Sequence, residues 1–245
     1  MNSSTVVSGG RPAPSRRPPP AKQQPPARAP GAAERIVAAA IRVADAEGLP
    51  ALSMRRVAAE VGGAPMSLYR HVTDKDDLLL QMMDSVFARS RLPATAPDGW
   101  RPQLELAART LWAMFRHHPW LAPALSLTRP QALRSAFPYT EWVLTALDGH
   151  GLGLSTMFTV HLTLINYVRG TAVNLESEAE AEAASGLSNE EWLDTQEPRL
   201  RSILVPGAFP RFEQLVTGEY DFDLDHIFEF GLQRLLDGLA TLIGP

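Results

Sequence analysis

Residues 53–75, SMRRVAAEVGGAPMSLYRHVTDK, decide the fold. They read as two short helices joined by a tight turn. Ser53 predicts an N-cap, because its hydroxyl can accept from a backbone N–H left without a partner in the first turn. Val57, Ala58 and Val61 fall on one apolar face. Gly62 and Gly63 stop the helix, since glycine enters the left-handed C-cap conformation at little cost. Pro65 has its φ preset for the first turn of a second helix, from Pro65 to about His71. That helix buries Leu68 and Val72 and shows Met66, Ser67, Tyr69, Arg70 and His71 on its other face. Thr73, with Asp76 three residues on, predicts the next N-cap in the capping-box pattern. Helices this short are not stable alone, so neighbours must cover them. A second helix that buries little and shows Ser, Tyr, Arg and His suits the major groove of DNA. The alternative is a helical hairpin inside any α-domain.

The flanking segments supply the cover. Residues 32–47 predict a first helix, with Ile36, Val37, Ala40, Val43 and Ala44 as its apolar stripe and Gly48 as its end. Leu49 and Leu52 should plug the small core with Val57, Val61, Leu68 and Val72. Residues 74–91 predict a fourth helix, with Asp74, Asp76 and Asp77 at its positive N-terminus. It is long enough to leave the small domain and act as a lever on the rest of the chain.

From Glu34 to Phe87 the chain resembles the N-terminal domain of the tetracycline-repressor family of bacterial transcription regulators. The resemblance is carried by ERIVAAAIRVADAEG, by the SMRRVAAEVG turn, and by SLYRHVTDKDDLL with its Leu-Tyr-x-His and Lys75. The chain departs from the family pattern at Gly63-Ala64-Pro65, where polar residues often open the recognition helix. From about residue 100 the order of elements resembles the ligand-binding domain of the same group, with echoes at 117–130 (HHP…TRP) and in FEFGLQRLLDGLATLI at the end. That resemblance implies an inducer pocket and a dimerising helix pair. In the namesake a histidine just ahead of Thr-Arg-Pro helps bind a magnesium–tetracycline chelate. The matching position here is Leu125, so the chelate contact is not carried over.

Composition bounds the rest. Cysteine is absent, which excludes disulfides, Cys–zinc sites and thiol catalysis and suits a reducing cytosol. No run of ~20 apolar residues predicts a membrane span. The basic N-terminus has no apolar h-region, so it does not read as a secretory signal. Net charge is −4, but its distribution says more. Residues 1–33 hold five basic and no acidic residues, residues 34–91 eight of each, and residues 92–245 ten basic and nineteen acidic. The acidic region should point away from DNA.

Residues 1–31, rich in Pro and Arg, bury almost nothing and predict a disordered or polyproline-like tail. It reads either as a passive tail or as a basic arm along DNA. Pro93 and the PDG at 97–99 mark a domain boundary, giving residues 32–91 and 92–245 as the two folded parts. After it only helices are predicted, at about 102–117, 118–127, 132–147, 154–184, 189–204, 210–217 and 223–243. The last is apolar on more than one side. Gly231 and Gly238 share a face and would let another helix approach closely. Helices 154–184 and 223–243 therefore predict a homodimer through a four-helix bundle, against the alternative of a helix buried in its own domain.

Several chemistries are rejected. His117 and His118 are adjacent, so on a helix they diverge by about 100° and cannot share a metal. Asp221, Asp223 and Asp225 echo a calcium loop, but His226 and Leu232 stand where Gly and Glu are needed. They read as capping charges. Glu176, Glu178, Glu180 and Glu182 alternate, so they spread around a helix and read as a solvated end. No GxSxG, Walker loop or dinucleotide fingerprint is present. No cofactor and no metal are expected, and an enzyme is the alternative from another class.

The expectation is an all-α protein: an N-terminal helix-turn-helix DNA-binding domain followed by a larger helical domain for ligand binding and dimerisation. It should be a ligand-responsive transcriptional repressor. Ser53, Arg55, Arg56, Ser67, Tyr69 and Lys75 should hold phosphates of double-stranded DNA, and Met66, Arg70 and His71 should reach bases. Two recognition helices would meet a palindromic operator about 34–36 Å apart. A small-molecule effector would meet Trp112, Phe115, Leu125, Phe137, Trp142, Phe158, His161, Leu162, Ile165, Asn166, Arg169 and Trp192. An activator, a ligand-independent regulator and a ligand sensor without DNA binding stay open.

Overall fold

The computed structural model describes residues 31–205, 207–217 and 223–244. The readings placed on residues 1–30 and on Asp221 lie outside them. Among the described residues there are only helices. The first four form a small bundle: α1 (Ala32–Ala51), α2 (Met54–Glu60), α3 (Pro65–Leu68) and α4 (Lys75–Arg89). The predicted stripe of α1 is buried, together with Ala39 and Ile41. Gly48 breaks α1 as expected, with φ +74° and ψ 168°, but one more turn continues to Ala51. Ser53 caps α2 by accepting from the N–H of Arg56 at 3.1 Å.

The turn after α2 is a Schellman motif. Gly63 N–H donates to the Ala58 carbonyl at 2.9 Å and Gly62 N–H to that of Ala59 at 3.2 Å, with Gly62 at φ +70°. Val61 belongs to this cap and is 37% exposed, not buried in the small core as expected. The second helix is shorter than predicted. It is helical over Pro65–Leu68, and His71 N–H then bonds the Leu68 carbonyl at 2.8 Å, a tightened last turn. This turn brings Val72 into the core, 2% exposed. The next cap is shifted by one residue. Asp74, not Thr73, caps α4 by accepting from Asp77 N–H at 2.8 Å. The carboxylate of Asp77 reaches back to the N–H and hydroxyl of Thr73, at 2.8 and 3.0 Å, and the Thr73 N–H, with the Gln81 amide at 3.2 Å, holds it below the usual carboxylate range.

The larger bundle holds α5 (Trp100–His117), α6 (Leu121–Ala124), α7 (Phe137–Leu147), α8 (Leu154–Ala172), α9 (Asn174–Ser185), α10 (Asn189–Ile203), α11 (Pro210–Thr217) and α12 (Leu224–Ile243). The helix expected at 132–147 begins instead as a 3-10 turn over Arg134–Ala136, and α7 starts where Pro138 can occupy the first turn. The long helix expected at 154–184 is interrupted at Val173. There the side-chain amide of Asn174 donates to the Thr171 carbonyl at 3.1 Å, a local bond that competes with the helical ladder. Ser188 and Glu191 form the expected capping box of α10, and Asp223 caps α12 through the N–H groups of Asp225 and His226.

The core runs along α5, which packs on α7, α8 and α12. Leu104, Leu111, Phe115, Leu147, Leu164, Val168, Leu232 and Leu236 are each 1% exposed or less. Burial of this kind stabilises by roughly 1.5–3 kcal/mol per large apolar side chain.

Candidate functional site

Two surfaces and the joint between them concern function. The first surface is the helix-turn-helix. Met66 is 76% and Tyr69 47% exposed, and Arg55, Arg70, His71 and Lys75 are exposed as well. Arg55, Arg70 and Lys75 make no ion pair with described residues, so their charge is available to phosphates. Ser53 caps α2 through its oxygen and keeps its hydroxyl proton to donate. Ser67 donates its proton to the Ala64 carbonyl at 2.6 Å.

Arg56 is placed differently from its neighbours. Its guanidinium binds Glu47 of α1 at 2.6 Å and Glu60 at 3.1 Å. The hydrogen bonds to Glu47 and then Glu60 raise its pKa, and Arg56 lowers that of Glu60. Arg56 therefore clamps α2 on α1, and it can face a phosphate only by exchanging a carboxylate.

Three carboxylates join the small bundle to the large one. Asp45 of α1 accepts from the indole N–H of Trp120 at 2.7 Å, and the same oxygen lies 2.7 Å from Nδ1 of His118. Asp84 of α4 accepts from the N–H and hydroxyl of Ser135 at 2.8 and 2.9 Å. Glu176 of α9 accepts from Leu49 N–H at 3.2 Å. A Cβ built on Gly48 would lie 3.4 Å from the Glu180 carboxylate and 3.5 Å from that of Glu176. The alternating glutamates do spread around the helix, but Glu176 is half-buried against Leu49 and is not part of a solvated end. The alternation showed where the side chains point and carried no sign of what they meet.

The residues expected around an effector lie partly in the packed core and partly on the surface, with the rings of Phe158 and His161 5.7 Å apart. Trp112 and Phe115 belong to the packed core, 6% and 0% exposed. Trp112 stacks on Phe228 with centroids 4.6 Å apart and donates to Asp225 at 2.5 Å. Trp142 is half-buried and donates to the Gln103 carbonyl at 3.3 Å. Arg169 donates to the Ala122 carbonyl at 2.8 Å, holding α8 to α6. Phe137 stands out at 64% exposure, while Leu125 and Ile165 are half-buried against the core. Phe158, Leu162 and Asn166 lie on the exposed face of α8.

His161 is the polar residue of the set that is buried, 3% exposed. Its Nε2 lies 3.2 Å from the Thr140 hydroxyl, and Nδ1 has no partner. Burial pushes its pKa down to about 4, so the ring is neutral at pH 7.

A groove of about 570 Å³ opens elsewhere, between α9, α10 and the start of α12. Of the expected effector residues only Trp192 lines it. Glu178 and Glu182 line it too, and nothing in the sequence had singled them out as binding residues. The signal available was their i,i+4 spacing, which puts both on one face.

The two parts of the chain match two family descriptions. Residues 36–82 match the bacterial regulatory proteins of the tetR family, and residues 92–243 match the tetracyclin repressor-like C-terminal domain. The HTH-type transcriptional repressor DrrR1 of Streptomyces coeruleorubidus is 43% identical over 211 residues, 86% of this chain and 77% of that protein. An HTH-type transcriptional regulator of Saccharopolyspora erythraea is 33% identical over 86% of this chain and 85% of its own length. Among solved structures, the TetR family protein ActR of Streptomyces coelicolor in complex with actinorhodin superposes with a TM-score of 0.70. It is 30% identical and is covered over 100% of its length, with 89% of this chain aligned.

An all-α chain with an exposed helix-turn-helix and a larger helical domain is the architecture of a one-component DNA-binding regulator. The chain belongs to the tetR family of bacterial regulatory proteins and is a transcription regulator. No helix among the described residues is long and apolar enough to cross a membrane.

Proposed function

We propose that the chain is a dimeric repressor released from a palindromic operator by a small molecule. The observation that carries this is the charge and exposure of the helix-turn-helix, where Arg55, Arg70, His71 and Lys75 face outward beside Met66 and Tyr69. A relative named a transcriptional repressor and a neighbour crystallised with actinorhodin support the same reading. Residues 32–91 read the operator. Ser53, Arg55, Tyr69 and Lys75 hold phosphates, Ser67 joins them by turning its hydroxyl away from the Ala64 carbonyl, and Met66, Arg70 and His71 meet base edges. Arg56 acts by fixing the angle of α2.

Residues 92–245 bind the effector and the second copy. The dimer face is the apolar stripe of Leu154, Phe158 and Leu162 on α8, 66%, 45% and 37% exposed, with Phe230 and Leu242 of α12 at 60% and 52%. Steps of four residues put the α8 set on one side of its helix. Around Gly238 a Cβ would meet nothing within 4 Å, leaving room for another helix. Gly231 has a different role from the one expected, because Tyr167 of the same chain fills its open side. The protein works in the cytoplasm by binding alone, without catalysis. The effector favours a dimer with the wrong spacing of recognition helices, and DNA must weaken the effector by the same factor.

The test is fluorescence anisotropy on duplexes tiled across the region upstream of the protein's own gene, at two salt concentrations. Saturable binding to one palindromic tile with a steep salt slope is expected. Weak binding equal on every tile would remove autoregulation and favour a ligand sensor that has lost its operator.

A further inference from the structure

We propose that the groove between α9, α10 and α12 binds a planar aromatic cation. The proposal deepens the ligand-responsive reading and rests on it. One wall carries the carboxylates of Glu178 and Glu182, one helical turn apart on α9. Glu178 is half-buried, and neither carboxylate has a hydrogen-bond or ion-pair partner among the described residues. On the helices that pack around α5 the carboxylates have cations: Glu105 and Glu229 share Arg109, and Asp237 takes Arg101 and Arg234. The facing wall is apolar, with Leu193, Leu224, Ile227 and the half-exposed ring of Trp192.

No Lys, Arg or His lines the groove among the described residues. An anionic ligand would meet two like charges and no compensating donor. A neutral ligand would leave two carboxylates partly desolvated and unpaired, which is costly. A cation supplies the missing partner, and tryptophan is the side chain whose face holds a cation best. The apolar wall asks for an aromatic body, and a volume of about 570 Å³ is that of a site for one drug-sized molecule. The opposite face of α9 carries Glu176 and Glu180 against the Gly48 joint, so occupation of the groove bears on the reading head through one helix.

Berberine, a planar aromatic cation, is titrated into the full chain and followed by its own fluorescence. The anionic dye 8-anilinonaphthalene-1-sulfonate is titrated in parallel. One saturable berberine site per chain is expected, weakened roughly tenfold or more by Glu178→Gln with Glu182→Gln, and by Trp192→Ala. Salt should weaken the wild type more than the double variant. The glutamines keep the helix, which circular dichroism checks. Absence of saturable berberine binding, unchanged binding by the double variant, or tighter binding of the anion at Trp192 would overturn the proposal. Release of a labelled operator is read separately. Berberine bound in the groove with the operator retained would uphold the site and remove the release mechanism instead.

Discussion

The carboxylate of Glu176 accepts a hydrogen bond from the backbone N–H of Leu49, 3.2 Å away and 127 positions earlier in the chain. Leu49 comes directly after the break at Gly48, where the backbone leaves the helical ladder and its N–H needs another acceptor. An α9 side chain thus completes a turn of the DNA-reading domain. Glu176→Ala should leave that N–H unpaired, at a cost of about 1 kcal/mol or more. Hydrogen exchange should quicken in residues 48–53. Unchanged protection in this segment would show that the bond carries no weight.

On the reading surface, free and paired cations should separate in their salt dependence. Tyr69→Ala with Lys75→Ala should weaken all duplexes by similar factors. The slope of log affinity against log salt should flatten by about 0.9 for each phosphate no longer neutralised. Arg56→Ala should instead lower the melting temperature, because its ion pair with Glu47 joins α2 to α1 and its pair with Glu60 braces α2 itself. Anisotropy over a salt series, with thermal melts of the same proteins, reads both effects.

Gly231 and Tyr167 form a pair across α8 and α12. The tyrosine hydroxyl lies 2.6 Å from the Phe228 carbonyl and 3.1 Å from that of Ile227. A Cβ on Gly231 would collide with that hydroxyl oxygen and with the edge of the ring. Gly231→Ala should destabilise the chain by about 1–3 kcal/mol through overpacking. Adding Tyr167→Ala should cost less than the sum of the two changes. Additive costs in urea unfolding would dismiss the close approach.

The proposed dimer face uses the exposed residues of α8 and α12. Phe158→Glu should shift sedimentation toward the monomer at micromolar concentration while far-UV circular dichroism stays unchanged. An intact dimer would place the interface on other helices.

His161 gives the protein an acid limb. Its folded pKa is about 4, below the ordinary 6.5, because burial disfavours the charged ring. The unfolded chain therefore binds this proton first as pH falls. Stability is fully present above pH 6.5, is lost progressively between 6.5 and 4, and is flat below that as far as this group decides. The total is on the order of 3 kcal/mol. His161→Leu should remove that slope from denaturant midpoints measured across the range, and an unchanged slope would assign the acid limb to other groups.

The helix-turn-helix was legible because its determinants are local. Ser53, Gly62 and Pro65 act on their own backbone, and they stand where the pattern placed them. Helix ends were less legible where a side chain intervened, as at Asn174 or in the shift of the α4 cap from Thr73 to Asp74. The candidate effector residues were least legible. Aromatic residues at helical spacing fill a core and line a cavity equally well, and Trp112 and Phe115 went to the core. Glu176 and Glu178 are two positions apart with opposite roles, one against Leu49 and one on the groove, and only the packing of α9 separates them.

The polar part of the joint between reading head and large domain is made by Asp45, Asp84 and Glu176, acceptors that water can replace, beside buried Trp120 and Leu133. Each exchange with solvent costs about 1 kcal/mol net. These polar bonds alone oppose a displacement only weakly. A partner that discriminates between latched and open heads by only a few kcal/mol, roughly a hundredfold in affinity, already rewrites which one prevails. Carboxylate fasteners of this kind would let a weakly discriminating effector bias the position of the reading head.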